Sequence, residues 1–172
     1  MLFLLLFIPF LFAHFRSPVS ADRPADLRSE LAVDVAIVGG GIVGLTLAAT
    51  LAPSGLQVAV IEAQTAAGAA SRQRAYAFSL TSADIFKGLG LWPQIGPHIC
   101  HFDKVQLSDG DYGRVVQFLP TDLGTDAVYY GAEHGVLMAA LQGAIAAAPN
   151  IHYLCSASLG ATFSLPTIFM IP

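Results

Sequence analysis

Three glycines and one carboxylate carry the most chemical information in this chain. They lie in VDVAIVGGGIVGLTLAATLAPSGLQVAVIEAQ, residues 33–64. Gly39, Gly41 and Gly44 have the spacing G-x-G-x-x-G, and Glu62 follows 18 residues after Gly44. Each glycine has a physical task in such a turn. Gly39 permits a tight reversal from strand to helix. Gly41 leaves out a Cβ, so a diphosphate can lie against the backbone. Gly44 lets the helix pack close to the strand. The backbone from Gly39 through Gly40, Gly41, Ile42 and Val43 to Gly44 would then present N–H groups and the positive end of a helix to phosphate. A carboxylate at Glu62 can accept hydrogen bonds from both hydroxyls of an adenosine ribose, and it would repel a 2′-phosphate. This constellation predicts a dinucleotide site, with FAD or NAD preferred to NADP.

A cofactor cradle needs a scaffold, and the flanking residues supply one. Residues 33–38 form a β-branched apolar run that reads as a buried parallel strand. Residues 42–51 read as a helix apolar on most faces, hence largely buried, and stopped by Pro53 and Gly55. Residues 57–61 read as a second strand. The unit is strand, helix, parallel strand, with the right-handed crossover such units adopt. Beyond it, 63–71 reads as a loop and 74–80 as extended chain. A helix over 82–89 would be capped by Thr81 or Ser82 and stopped at Gly90. Two strands, 104–107 and 114–119, flank the turn SDGDYG. A helix spans 133–147, closed by Pro149 and Asn150, and a short strand follows at 151–154. The fold class is therefore α/β, a Rossmann-like βαβ domain joined to the beginning of a second sheet.

Composition narrows the partners. Of 172 residues, 55% are hydrophobic and 12% charged, about half the usual charged share of roughly 25%. The net charge is -4, with no Lys/Arg run, so nothing here attracts nucleic acid. Cys100 and Cys155 form no CxxC pair or disulfide framework and are expected to be ordinary buried thiols. His98, Cys100 and His101 in PHICH lack a second ligand pair, so no metal site is expected. The twelfth position from Asp109 is Pro120 rather than glutamate, which removes a calcium-loop reading. Ser79 and Ser82 read as cap or turn residues. Trp92 and Pro93 should seal a corner of the core, and Tyr112, Tyr129 and Tyr130 could line an aromatic cavity. Arg72 and Arg74 follow the second strand closely enough to return a forked guanidinium to a phosphate.

The stretch MLFLLLFIPFLFAHF is uncharged through Ala13, yet short of the roughly 20 residues a membrane span takes. Three readings stand: a signal peptide lacking its basic start, a weak membrane anchor giving peripheral membrane association, or an extension foreign to a cytoplasmic domain.

Three segments in order (residues 34–64, RQRAYAFSLTSADIFKGLGLWPQI, and AEHGVLMAALQGAIAAAPNI) resemble the N-terminal part of the ubiquinone-biosynthesis aromatic-ring hydroxylases. These are flavoprotein monooxygenases of the para-hydroxybenzoate hydroxylase type. The resemblance covers residues 33–163, and its middle segment separates this family from dehydrogenases. It implies an enzyme that binds FAD, takes hydride from NAD(P)H and uses O2 to hydroxylate an aromatic ring, often on a polyprenyl-quinone precursor. Gly39, Gly41, Gly44 and Glu62 would hold the ADP half of FAD, and Arg74 would lie near the cofactor. The implied divisions are 1–30, an apolar segment and linker; 31–100, the FAD-binding portion; 101–130, the start of the substrate-domain sheet; and 131–172, a return helix and strand with a divergent tail. Gly135 stands where the family carries a longer side chain, and the later Asp-Gly and Gly-Asp segments that grip the flavin are missing. A fragment is therefore expected, with an NAD-linked oxidoreductase or an inactive truncated flavoprotein as alternatives.

Overall fold

A computed structural model of the chain describes residues 31–110, 113–157 and 168–170. The N-terminal apolar segment 1–30, Tyr112 and residues 158–167 of the tail lie outside the described residues. The chain order is β1 (Val35–Val38), α1 (Ile42–Leu51), β2 (Val58–Ile61), α2 (Ala66–Ala70), β3 (Ala75–Phe78), α3 (Leu80–Gly88), α4 (Trp92–Ile95), β4 (Cys100–Phe102), β5 (Val105–Asp109), β6 (Arg114–Phe118), α5 (Pro120–Leu123), β7 (Tyr129–Glu133), α6 (His134–Ala146), β8 (Ile151–Leu154) and β9 (Ile168–Met170).

The predicted crossover is present. β1 and β2 run parallel with Val35 opposite Val58 and Val38 opposite Ile61. β8 and β9 add to either side in parallel, giving the order β8-β2-β1-β9. The central strands are continuous apolar runs because helices must cover them. α1 and α6 pack together here, and Leu45, Ala48, Leu137, Met138, Leu141 and Ile145 meet Ile37, Val58 and Val60 in one core. The prediction of a largely buried α1 holds for one face only. Gly44, Leu45, Ala48 and Ala49 are buried, while Val43 is 63% exposed because it faces a cleft.

A second sheet is antiparallel, β3-β7-β4, and β5-β6 form a separate hairpin with Asp109 opposite Arg114. Several local expectations are corrected. The loop at 63–71 contains α2, because the Thr65 side chain accepts from the Gly68 N–H and starts a helical turn. The third helix begins at Leu80: Ser79, not Thr81 or Ser82, is the N-cap, its Oγ accepting from the Ser82 N–H at 3.2 Å. Residues 129–133 form β7, whose partners are distant in sequence and so invisible to local pattern. Cys100 is exposed on β4 and Cys155 half-buried, against the expectation of buried thiols. Among the described residues no helix is long and apolar enough to cross a membrane.

Tyr130 joins the antiparallel sheet to the helices. Its ring packs edge-on against Trp92, and its hydroxyl donates to Asp126 at 2.7 Å. That bond, reinforced by burial, pushes the phenol up to about 12. The folded state therefore holds this proton more tightly than the unfolded chain, whose value is 10.0. The stability it contributes is complete below pH 10 and is lost as the pH rises through about 12. In an alkaline ultraviolet titration, Tyr130→Phe is expected to remove one late phenolate transition and to flatten the loss of stability over that window.

Candidate functional site

The glycine turn closes one wall of a cleft of about 510 Å³ at the carboxyl ends of β1 and β2. This is where open α/β sheets leave room for ligands. Gly39 turns the chain with φ +108°, a conformation that side chains rarely adopt. A Cβ on Gly44 would collide with the Gly39 carbonyl oxygen, so α1 lies against the turn as closely as backbone permits. Gly41 is different. Its backbone is ordinary extended chain, φ -79° and ψ -173°, and a Cβ there would meet nothing within 4 Å. The missing side chain at 41 leaves open space rather than relieving strain.

α1 begins at this point without a side-chain cap and without an acidic residue in its first turn. Its first N–H groups and the positive end of its dipole face the cleft that Ile42, Val43 and Gly44 line. Arg72 lines the same cleft, with Tyr76 and Phe78 of β3. Neither Arg72 nor Arg74 has an ion-pair partner among the described residues. Only Arg72 lines the cleft itself. Arg74 lies in a neighbouring depression beside Glu133 and Gly135, which Arg72 and His134 border as well.

Glu62 is 8% exposed at the end of β2. One carboxylate oxygen accepts from the Gly40 N–H at 2.8 Å and the other from the Gln64 N–H at 2.9 Å. The side chain therefore ties the glycine turn to β2. A carboxylate offers about four lone-pair sites, so acceptor capacity remains for hydroxyls in the cleft. Gly40 is held here from both sides: a Cβ would lie 2.9 Å from the Glu62 Cβ and 2.8 Å from the Tyr153 ring. Burial raises the Tyr153 hydroxyl to about 12. An amide at position 62 can accept from only one of the two N–H groups. Glu62→Gln is therefore expected to lower stability by about 1–3 kcal/mol, measured as a shift in the urea midpoint.

An uncapped helix start, a bare backbone position opening on free volume, an arginine lining the same cleft, and a buried acid with spare lone pairs fit a nucleoside diphosphate. The residues predicted for this role come together, apart from the displacement of Arg74 to the adjoining depression. Tyr76, Phe78, Phe86, His134 and Leu137 also line the cleft and were not anticipated. The alternation of Tyr76 and Phe78 could have disclosed a shared face of a strand. His134 carried no sequence signal, since its burial depends on α6 docking against α2. Of the tyrosines considered for an aromatic cavity, Tyr129 borders a separate apolar pocket of about 470 Å³ with Leu80, Val105, Leu107 and Phe118, whereas Tyr130 is buried.

Comparison with known proteins adds four likenesses. Residues 34–82 match the family model described as FAD dependent oxidoreductase. The chain is 44% identical over 126 residues to the uncharacterized protein slr1300 of Synechocystis, covering 73% of this chain and 30% of that protein. It is 37% identical over 123 residues to the 3-demethoxyubiquinol 3-hydroxylase of Escherichia coli, covering 69% of this chain and 31% of that one. The crystal structure of p-nitrophenol 4-monooxygenase PnpA from Pseudomonas putida superposes with a TM-score of 0.59 at 22% identity, over 72% of this chain and 32% of that chain. The chain thus spans less than a third of the length of these curated relatives.

Proposed function

From the premise that this chain belongs to the FAD-dependent oxidoreductases, homologous to the ubiquinone hydroxylases, we propose that its cleft takes the ADP half of FAD. We propose also that it is the cofactor-binding portion of a monooxygenase that hydroxylates an aromatic ring in quinone biosynthesis. The observation that carries the binding reading is the open space at Gly41, in front of an uncapped helix start. The backbone N–H groups from Gly41 to Gly44 would meet the diphosphate. Arg72, which lines the cleft, would neutralise it, with Arg74 adding positive potential from the adjoining depression. Glu62 would accept from the ribose while keeping the turn fixed through Gly40.

FAD, when bound, supplies hydride acceptance and oxygen activation; the protein's part is to bind, orient and keep water out. Tyr76, Phe78 and Leu137 give the inner cleft an apolar wall for that purpose. NAD(P)H as the reductant, O2 as the oxidant and an aromatic or polyprenyl-quinone substrate belong to this proposal; the quinone substrate is supported by the names of the hydroxylase relatives. Equilibrium titration tests the cofactor reading. FAD is expected to bind, with its fluorescence quenched, and NADH is expected not to displace it. Displacement of FAD by NADH, or tighter binding of NADH, would move the assignment to an NAD-linked oxidoreductase.

A further inference from the structure

α6 carries two polar side chains that reach the same short segment. His134, its first residue, is 2% exposed, and its Nε2 lies 2.7 Å from the Ala69 carbonyl oxygen. A carbonyl only accepts, so Nε2 carries the ring proton and donates. Two turns later the Gln142 Nε2 donates to the Ala66 carbonyl at 2.9 Å. The His134 backbone N–H donates to the Arg74 carbonyl at 2.7 Å. Three hydrogen bonds from one helix therefore fall on residues 66–74, the segment that contains α2 and both arginines.

That segment has little else to fix it. α2 is five residues of alanine and glycine, of which only Ala69 is buried, and a helix so short does not hold its shape alone. The other nitrogen of His134, Nδ1, is buried with no hydrogen-bond partner among the described residues. An unsatisfied buried acceptor is costly, and an aliphatic side chain would fill the same volume without it. What the imidazole provides, and an aliphatic chain does not, is the bond to Ala69.

We propose that His134 and Gln142 are positioning residues: they pin residues 66–74 to α6 and so hold Arg72 at the wall of the cleft. The pinning stands on these contacts alone, whereas its consequence for a bound nucleotide rests on the FAD reading above. Limited trypsin digestion of the 172-residue chain without nucleotide reads it directly. The bonds after Arg72 and Arg74 report on the segment, and the bond after exposed Lys104 is the reference. His134→Leu is expected to speed cleavage after Arg72 and Arg74 about tenfold relative to Lys104, because the local opening loses a buried hydrogen bond. Gln142→Leu should shift the same bonds in the same direction. His134→Gln keeps a donor of similar reach and should stay within about twofold of the parent chain. No acceleration, equal acceleration at all three bonds, or His134→Gln as fast as His134→Leu would overturn the proposal. With FAD, the affinity losses of His134→Leu and Arg72→Gln should be less than additive; additive losses would overturn action through Arg72. If FAD fails to bind, the cofactor reading falls and the digestion pattern still decides the pin.

Discussion

Replacing Gly41 by valine is expected to leave the chain folded and to weaken FAD binding about a hundredfold. The two halves have separate physical grounds. The backbone at 41 is extended, with φ -79°, and a Cβ meets nothing within 4 Å. Valine is therefore accommodated, and its only cost is a poorer helix start, about 1 kcal/mol or less. The added branches project into the volume where a diphosphate must approach the first N–H groups of α1. Losing two charge-assisted hydrogen bonds at about 1.5 kcal/mol each comes to about 3 kcal/mol, or roughly a hundredfold in affinity. Titration of FAD into the folded variant, with a thermal melt alongside, checks both halves. Undiminished affinity with a normal melt would remove the diphosphate from this turn.

Gly44→Ala should behave in the opposite way. Its Cβ would strike the Gly39 carbonyl oxygen, and both groups are backbone, so no rotamer change relieves the clash. α1 must move off β1. Overpacking of this kind costs about 1–3 kcal/mol, against a gain of about 1 kcal/mol in helix propensity. The clash wins, because it disturbs the packing of Leu45 and Ala48 on the central strands. A net loss of up to about 2 kcal/mol corresponds to a fall in Tm of up to roughly 6 °C for a domain of this size. Gly143→Ala is the control with the opposite sign. Gly143 lies inside α6, and a Cβ there meets nothing within 4 Å. The same substitution should stabilise by about 0.5–1 kcal/mol through propensity alone. A melt in which Gly44→Ala is neutral would show that the helix does not need its close seat on the strand.

The two glycines differ in the sequence and in the fold. The spacing assigns Gly41 to a ligand and Gly44 to helix packing. The packed turn agrees with both: a Cβ at Gly44 would strike the Gly39 carbonyl oxygen, and one at Gly41 would meet nothing within 4 Å. A division runs through the scaffold. β1, α1, β2, the hairpin, α6 and β8 were legible because each element's pattern is local: β-branched runs, helix stops, turn residues and 3.6-residue spacing. β4 and β7 were not legible, since three- and five-residue strands are defined by partners far away in the chain. α2 is an alanine stretch whose shape depends on Thr65 and on α6.

The order of residues by itself determined the βαβ crossover, the phosphate-facing backbone turn and the acid that follows it. Those depend on neighbours a few residues apart, where steric freedom and periodicity act without help from the rest of the chain. Tertiary structure alone decided which groups share the cleft. It put Arg72 on the wall and Arg74 in the depression beside it. It gave both Glu62 oxygens to the N–H groups of Gly40 and Gln64, and it buried His134 against Ala69. These outcomes depend on how α6 docks against α2 and the sheet, a contact between residues more than sixty positions apart, which no local pattern encodes.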